Sequence, residues 1–137
     1  MASHVATPTG GGQVRRASPY LLAGLLTVTG TLHFVAPKVF ASIVPRQLPA
    51  RYALVYASGA AELTCAAGLA VPRTRRVAGW ATALLFVSVF PANVQMALDA
   101  GDRSAAYRAA TYARLPIQVP LVLWAISVAR VSRRRSD

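Results

Sequence analysis

The sequence predicts an all-α protein, four transmembrane helices in an up-down bundle, and three observations carry that expectation. Its 137 residues are 55% hydrophobic with a mean hydropathy of +0.43, too apolar for a soluble domain whose core is limited by its size. Charged residues make up only 14%, against roughly 25% in an ordinary soluble domain. The apolar residues also gather into four runs, each near the roughly 17–25 residues that cross hydrocarbon. None of the runs shows the period-two alternation of a barrel strand.

Residues 1–18 hold Thr7-Pro8-Thr9 and Gly10-Gly11-Gly12, and read as a disordered leader ending in Arg15-Arg16. The first span is expected at about 19–36 and the second at about 52–71. The third is expected at about 77–98 and the fourth at about 115–131, before a basic tail over 132–137. Arg73-Thr74-Arg75-Arg76 allows only a tight helical hairpin between the second and third spans. The stretch 37–51, with Phe40, Ile43, Val44 and Leu48 among three prolines, is expected to lie along the membrane surface. Residues 99–114 are polar and read as an exposed loop. Arg15-Arg16 before an apolar run resembles a signal sequence, but three further spans make a retained signal anchor the better reading.

The formal net charge of +11 would otherwise suggest nucleic acid. No aromatic platform or basic fold accompanies the arginines, so no nucleic-acid partner is expected and the bilayer is the partner instead. Basic residues at helix ends meet anionic headgroups. An even number of spans puts both termini on one side, which collects nine basic residues against six on the other. The positive-inside rule makes that side cytoplasmic, in a multi-pass plasma-membrane protein. A single cysteine, Cys65, excludes an internal disulfide and a cysteine-based zinc site. With two histidines and four acids, no metal site is expected.

Polar side chains inside the spans are then the informative ones, since each is costly unless paired or watered. Thr29 and His33 share a face of the first span, and Ser58, Glu62 and Cys65 share one of the second. The third carries Asn93, with Gln95 turned away from it, and the fourth opens with Arg114 and Gln118. Together they predict an inward-facing constellation of His33, Glu62, Asn93, Arg114 and Gln118, with Ser58 beside Glu62. Its weak point is depth, because Glu62 lies roughly 15 Å below the surface near which the others fall. Bland roles compete at each position: a helix-to-helix strut for Glu62, snorkelling for Arg114, and repair of backbone freed by Pro91 for Asn93. Cys65, among small residues, reads as packing.

Several stretches resemble DoxX-like membrane proteins. They are Gly30-Thr31-Leu32-His33-Phe34 with Pro37 and Phe40, Ile43-Val44-Pro45, and Leu54 through Glu62 with Gly68 and Pro72. Phe90-Pro91-Ala92-Asn93-Val94-Gln95-Met96-Ala97 and Arg114-Leu115-Pro116-Ile117-Gln118 complete the pattern, over roughly residues 19–130. The resemblance implies a small four-helix membrane subunit of a redox complex, an accessory to oxidoreductase partner subunits rather than a catalyst in its own right. No haem-ligand pair, flavin fingerprint or iron–sulfur cysteine set is present, so redox chemistry would use a bound quinone or a partner's cofactor. In that reading Glu62 and His33 handle a proton or a quinone oxygen, while Asn93, Arg114 and Gln118 orient them. The rival expectation is a non-enzymatic scaffold or small-solute or lipid transporter, which would assemble as a homo-oligomer.

Overall fold

The computed structural model describes residues 10–133, and every regular element among them is helical. The order is α1 (Gly10–Val35), α2 (Pro37–Ile43), α3 (Arg51–Ala70), α4 (Arg75–Ser88), α5 (Phe90–Leu98) and α6 (Ala105–Arg133). Helix α1, helix α3, the pair α4–α5 and helix α6 are each long and apolar enough to cross a membrane, which marks the chain as a membrane protein. Their outward faces fit that medium. Leu84, Leu98 and Val77 are 70%, 72% and 73% exposed, a surface that water would penalise and acyl chains would not.

The helices pack in sequence, α1 on α3, α3 on α4 and α4 on α6, so both ends of the described chain lie at one end of the bundle. Small residues set the spacing. A Cβ on Gly68 would stand 2.8 Å from that of Ala78, and one on Gly79 would stand 2.9 Å from that of Ala129. Leu22, Leu26, Cys65, Ala66, Leu69, Ala78, Ala83, Ala125 and Val128 fill the core toward the termini. Cys65 is buried there as expected of a packing residue. At the other end Ala41, Val44 and Val55 form a smaller cluster with Phe40, seating α2 against α3.

The element boundaries correct four expectations. Helix α1 begins at Gly10, not after residue 18, so the expected disordered leader is helical over its last nine residues; residues 1–9 lie outside the described part, as do 134–137 of the basic tail. Pro19 sits inside α1, and the Trp124 indole N–H donates to Ser18 Oγ at 2.7 Å, holding that turn against α6. The expected 99–114 loop shrinks to 99–104, because Ala105, Ala106, Ala109, Ala110 and Ala113 are strong helix formers. Ser104 caps that start, its Oγ accepting from Tyr107 N–H at 3.3 Å. The third span is broken at Val89, where Pro91 follows and α5 begins afresh. Finally, Asn93 does not repair that break; Gln118 does, as described below.

Arg75 ties three helices together at the terminal-bearing end. Its Nε donates to the Leu69 carbonyl at 2.7 Å and its Nη2 to that of Ala70 at 3.2 Å. These are among the last carbonyls of α3, which have no partner within their own helix. Its guanidinium also lies 4.9 Å from the ring centre of Tyr20 on α1. Arg75→Met, which keeps the stem, is expected to lower the unfolding free energy in detergent micelles by about 2 kcal/mol, the range for hydrogen bonds to a charged group.

Candidate functional site

The polar residues of the spans form two clusters. The first sits where α1 crosses α3. Gly30 and Gly59 face each other so closely that a Cβ on Gly30 would stand 3.0 Å from the Gly59 carbonyl oxygen. A Cβ on Gly59 would stand 2.7 Å from that of His33. This approach brings Thr29, His33 and Glu62 into contact. Thr29 Oγ1 hydrogen-bonds Glu62 Oε2. His33 Nδ1 lies 2.8 Å from the Thr29 carbonyl and 3.7 Å from Glu62 Oε1. Both His33 and Glu62 are buried, at 9% and 7% exposure.

The tilt of side chains in antiparallel helices closes the depth offset expected between these two residues. With Gly30 opposite Gly59, His33 lies opposite Tyr56, and Glu62 is about 9 Å deeper. Every Cα–Cβ bond in a helix leans toward its own N-terminus. The His33 side chain therefore leans inward along α1 while that of Glu62 leans outward along α3, and they meet between.

The chemistry of the cluster follows from its donors. The bond to the Thr29 carbonyl requires a proton on His33 Nδ1, which leaves Nε2 as the nitrogen that can gain or lose one. Nε2 has no hydrogen-bond partner among the described residues and is not sealed from the surface. Thr29 has one hydroxyl proton and two acceptors, Glu62 Oε2 and the Leu25 carbonyl at 3.0 Å. It donates to an ionised Glu62, or accepts from a neutral one while donating to Leu25. The carboxyl thus keeps a bond in either protonation state. Above it the His33 ring stacks on Phe40 of α2, with centroids 3.9 Å apart and planes at 25°.

The second cluster joins α4, α5 and α6. Asn93 Nδ2 donates to Gln118 Oε1 at 3.2 Å. Gln118 Nε2 in turn donates to the Phe86 carbonyl, one of the four at the end of α4 left over by the helix break. Gln118 is buried at 7% exposure. No hydrogen bond or ion pair between described residues links the two clusters, so the single constellation expected from sequence is divided. Arg114 joins neither. It is exposed, and its Nη1 lies 3.9 Å from Met96 Sδ. Ser58 lies one turn from Glu62 on α3, and its buried Oγ has no partner. Buried hydroxyls are nearly always paired, and this one is the exception among the described residues. Among the described residues no three His, Cys, Asp or Glu side chains gather to hold a metal.

Sequence reasoning took Phe40 for a residue of a surface stretch, whereas it forms the roof of His33. Neither was the Gly30–Gly59 contact read as the hinge of the site, although glycines spaced to face one another on neighbouring spans are a recognisable small-residue signal.

A family model described as a domain of unknown function, DUF8561, matches residues 22–129. The chain belongs to that family. No curated protein and no solved structure matches it. The DUF8561 match runs from Leu22 to Ala129 and so includes both polar clusters, the glycine crossing and α2.

Proposed function

We infer that this DUF8561 protein is a DoxX-like, quinone-interacting accessory subunit of a membrane redox complex, with Thr29, His33 and Glu62 as its proton-handling site. The observation that carries this reading is Glu62 itself. It is the one acid within the four spans, bonded to Thr29 in either protonation state and 3.7 Å from a histidine whose other nitrogen is reachable. Such a pair is costly in hydrocarbon and marks a functional site by default. The motif resemblance supports the same class of function.

The residues fit a flat, apolar ring carrying a carbonyl oxygen. His33 offers Nε2 to that oxygen, and Phe40 supplies an aromatic face beside it. A bound quinone would supply the redox chemistry, with electrons from a partner subunit. His33 holds and releases the proton at Nε2, while the Thr29 carbonyl keeps the other proton on Nδ1. Glu62 balances the imidazolium charge. The nine-to-six distribution of basic residues supports a plasma-membrane topology with both termini in the cytoplasm, placing the two clusters toward the outer half of the bundle.

The test is purification in mild detergent with extraction of bound quinone and identification of co-purifying subunits. The expected result is quinone in the wild type and at least a tenfold lower content in Glu62→Gln and His33→Ala. Unchanged quinone in both variants would remove the proton-handling role. A bare homo-oligomer with neither quinone nor oxidoreductase subunits would favour a scaffold or a small-solute or lipid transporter instead.

A further inference from the structure

At the terminal-bearing end, far from the polar clusters, α1 and α6 enclose an open groove of about 350 Å³ lined by Arg15, Leu123, Ile126, Ser127, Arg130 and Val131. The five α6 residues follow the i, i+3, i+4, i+7, i+8 spacing of one helix face. The neighbouring face, with Ala125, Val128 and Ala129, is the one buried in the bundle. Helices α1 and α6 touch only slightly, and the Trp124–Ser18 bond is the one hydrogen bond between them among the described residues. The ring of helices is therefore loosest along this seam.

The charge of the groove is unbalanced. Arg15 and Arg130 line the same space, and neither has a hydrogen bond or ion pair to a described residue. The described acids lie elsewhere: Glu62 is bound to Thr29, and Asp99 and Asp102 stand beyond the far end of α6. The distance from there to Arg130 is about 37 Å along the helix. Two guanidiniums sharing a groove repel unless an anion lies between them. The lining is also graded. Arg15, Arg130 and Val131 stand toward the helix ends, while Ser127, Ile126 and Leu123 run deeper along α6. Charge at the helix ends above hydrocarbon matches a phospholipid set along the seam.

We propose that this groove is a binding site for an anionic diacyl phospholipid of the phosphatidylglycerol type. Its phosphodiester sits between Arg15 and Arg130, and one acyl chain lies over Ile126 and Leu123. The Ser127 hydroxyl is already committed as a donor to the Trp124 carbonyl at 2.7 Å, so the two guanidiniums carry the headgroup contact. The lipid closes the α1–α6 seam, and the site stands independently of the quinone reading.

Native mass spectrometry of the full chain, extracted from liposomes of mixed phosphatidylcholine and phosphatidylglycerol, tests this. The wild type is expected to retain one phosphatidylglycerol. Arg15→Ala/Arg130→Ala is expected to bind it about thirtyfold more weakly, from two basic contacts at the membrane surface. Both arginines are exposed, so the bundle persists without them. Arg133→Ala/Arg134→Ala/Arg135→Ala is expected to retain the lipid. Equal retention by the groove variant and the wild type would overturn the proposal. An equal loss in the tail variant would do so too, reducing the effect to general surface charge. Displacement by millimolar inorganic phosphate would leave an anion site without lipid specificity, and would overturn it as well.

Discussion

Gly59→Leu is expected to lower the unfolding free energy by about 3–5 kcal/mol and to abolish the contact between His33 and Glu62. Added methylenes in a packed core usually cost about 1–3 kcal/mol, because side chains shift to make room. Here the obstacles include backbone. A Cβ at position 59 already stands 3.0 Å from the Gly30 carbonyl oxygen and 2.7 Å from the His33 Cβ. Neither can rotate away, so a longer side chain forces α1 from α3 as a unit. Gly59→Ala should fall at the low end, near the usual overpacking cost. Chemical unfolding in detergent micelles reads the stability, and a bifunctional thiol reagent of about 10 Å reach, bridging cysteines introduced at positions 33 and 62 in a Cys65→Ala background, reads the spacing. Wild-type stability in Gly59→Leu would mean that the crossing is not close packed.

This crossing also shows which parts of the structure were legible in the sequence. Long apolar runs bounded by arginines have one solution in a bilayer, so the four spans and the hairpin at 73–76 follow from hydropathy and length. The first turns of α6 did not, because polarity was read as loop. Arg108 and Arg114 are polar, but the alanines around them favour helix whatever the solvent. The break at Val89 was foreshadowed by Pro91, yet the choice of Gln118 over Asn93 as its remedy depends on how α6 lies beside α4. No local pattern contains that information.

The site divides in the same way. Glu62 and His33 stand out because an ionisable group in an apolar run is rare, but the sequence leaves open whether Glu62 meets His33 or Arg114. Their other partners are not legible there. Phe40 reaches His33 only because α2 folds back over the end of α1. That turn is made at Ala36, and the chain then enters α3 through Ala50, whose φ of 53° and ψ of 47° place it in the left-handed region. That conformation costs an alanine roughly 1–2 kcal/mol. The seating of α2 on α3 offsets it, a tertiary effect invisible to propensity. Arg114 was grouped with the cluster on depth alone, and depth does not fix which side of a helix faces which neighbour.

Thr29→Val is expected to cost about 3 kcal/mol, although the two side chains are nearly the same shape. Interhelical hydrogen bonds in membrane proteins average only about 0.6 kcal/mol, so a neutral pair here would barely register. The difference lies in what is left behind. Without the Thr29 hydroxyl the carboxyl keeps its approach to His33 Nδ1, which at 3.7 Å is beyond hydrogen-bonding distance. That nitrogen is already committed to the Thr29 carbonyl, which the substitution does not remove. A buried polar group stranded in this way costs about 1–3 kcal/mol, and more when it is charged. Thr29→Ser restores the hydroxyl and should lie within about 1 kcal/mol of wild type. The double variant Thr29→Val/Glu62→Leu removes the stranded carboxyl together with its partner, so it should be more stable than Thr29→Val alone. The comparison separates two origins of stability at this crossing. If the double variant is the less stable, apolar packing of Glu62 rather than its bond to Thr29 holds α3 to α1. If it is more stable than the wild type as well, the carboxyl is kept at a cost to the fold, as expected of a group retained for its chemistry.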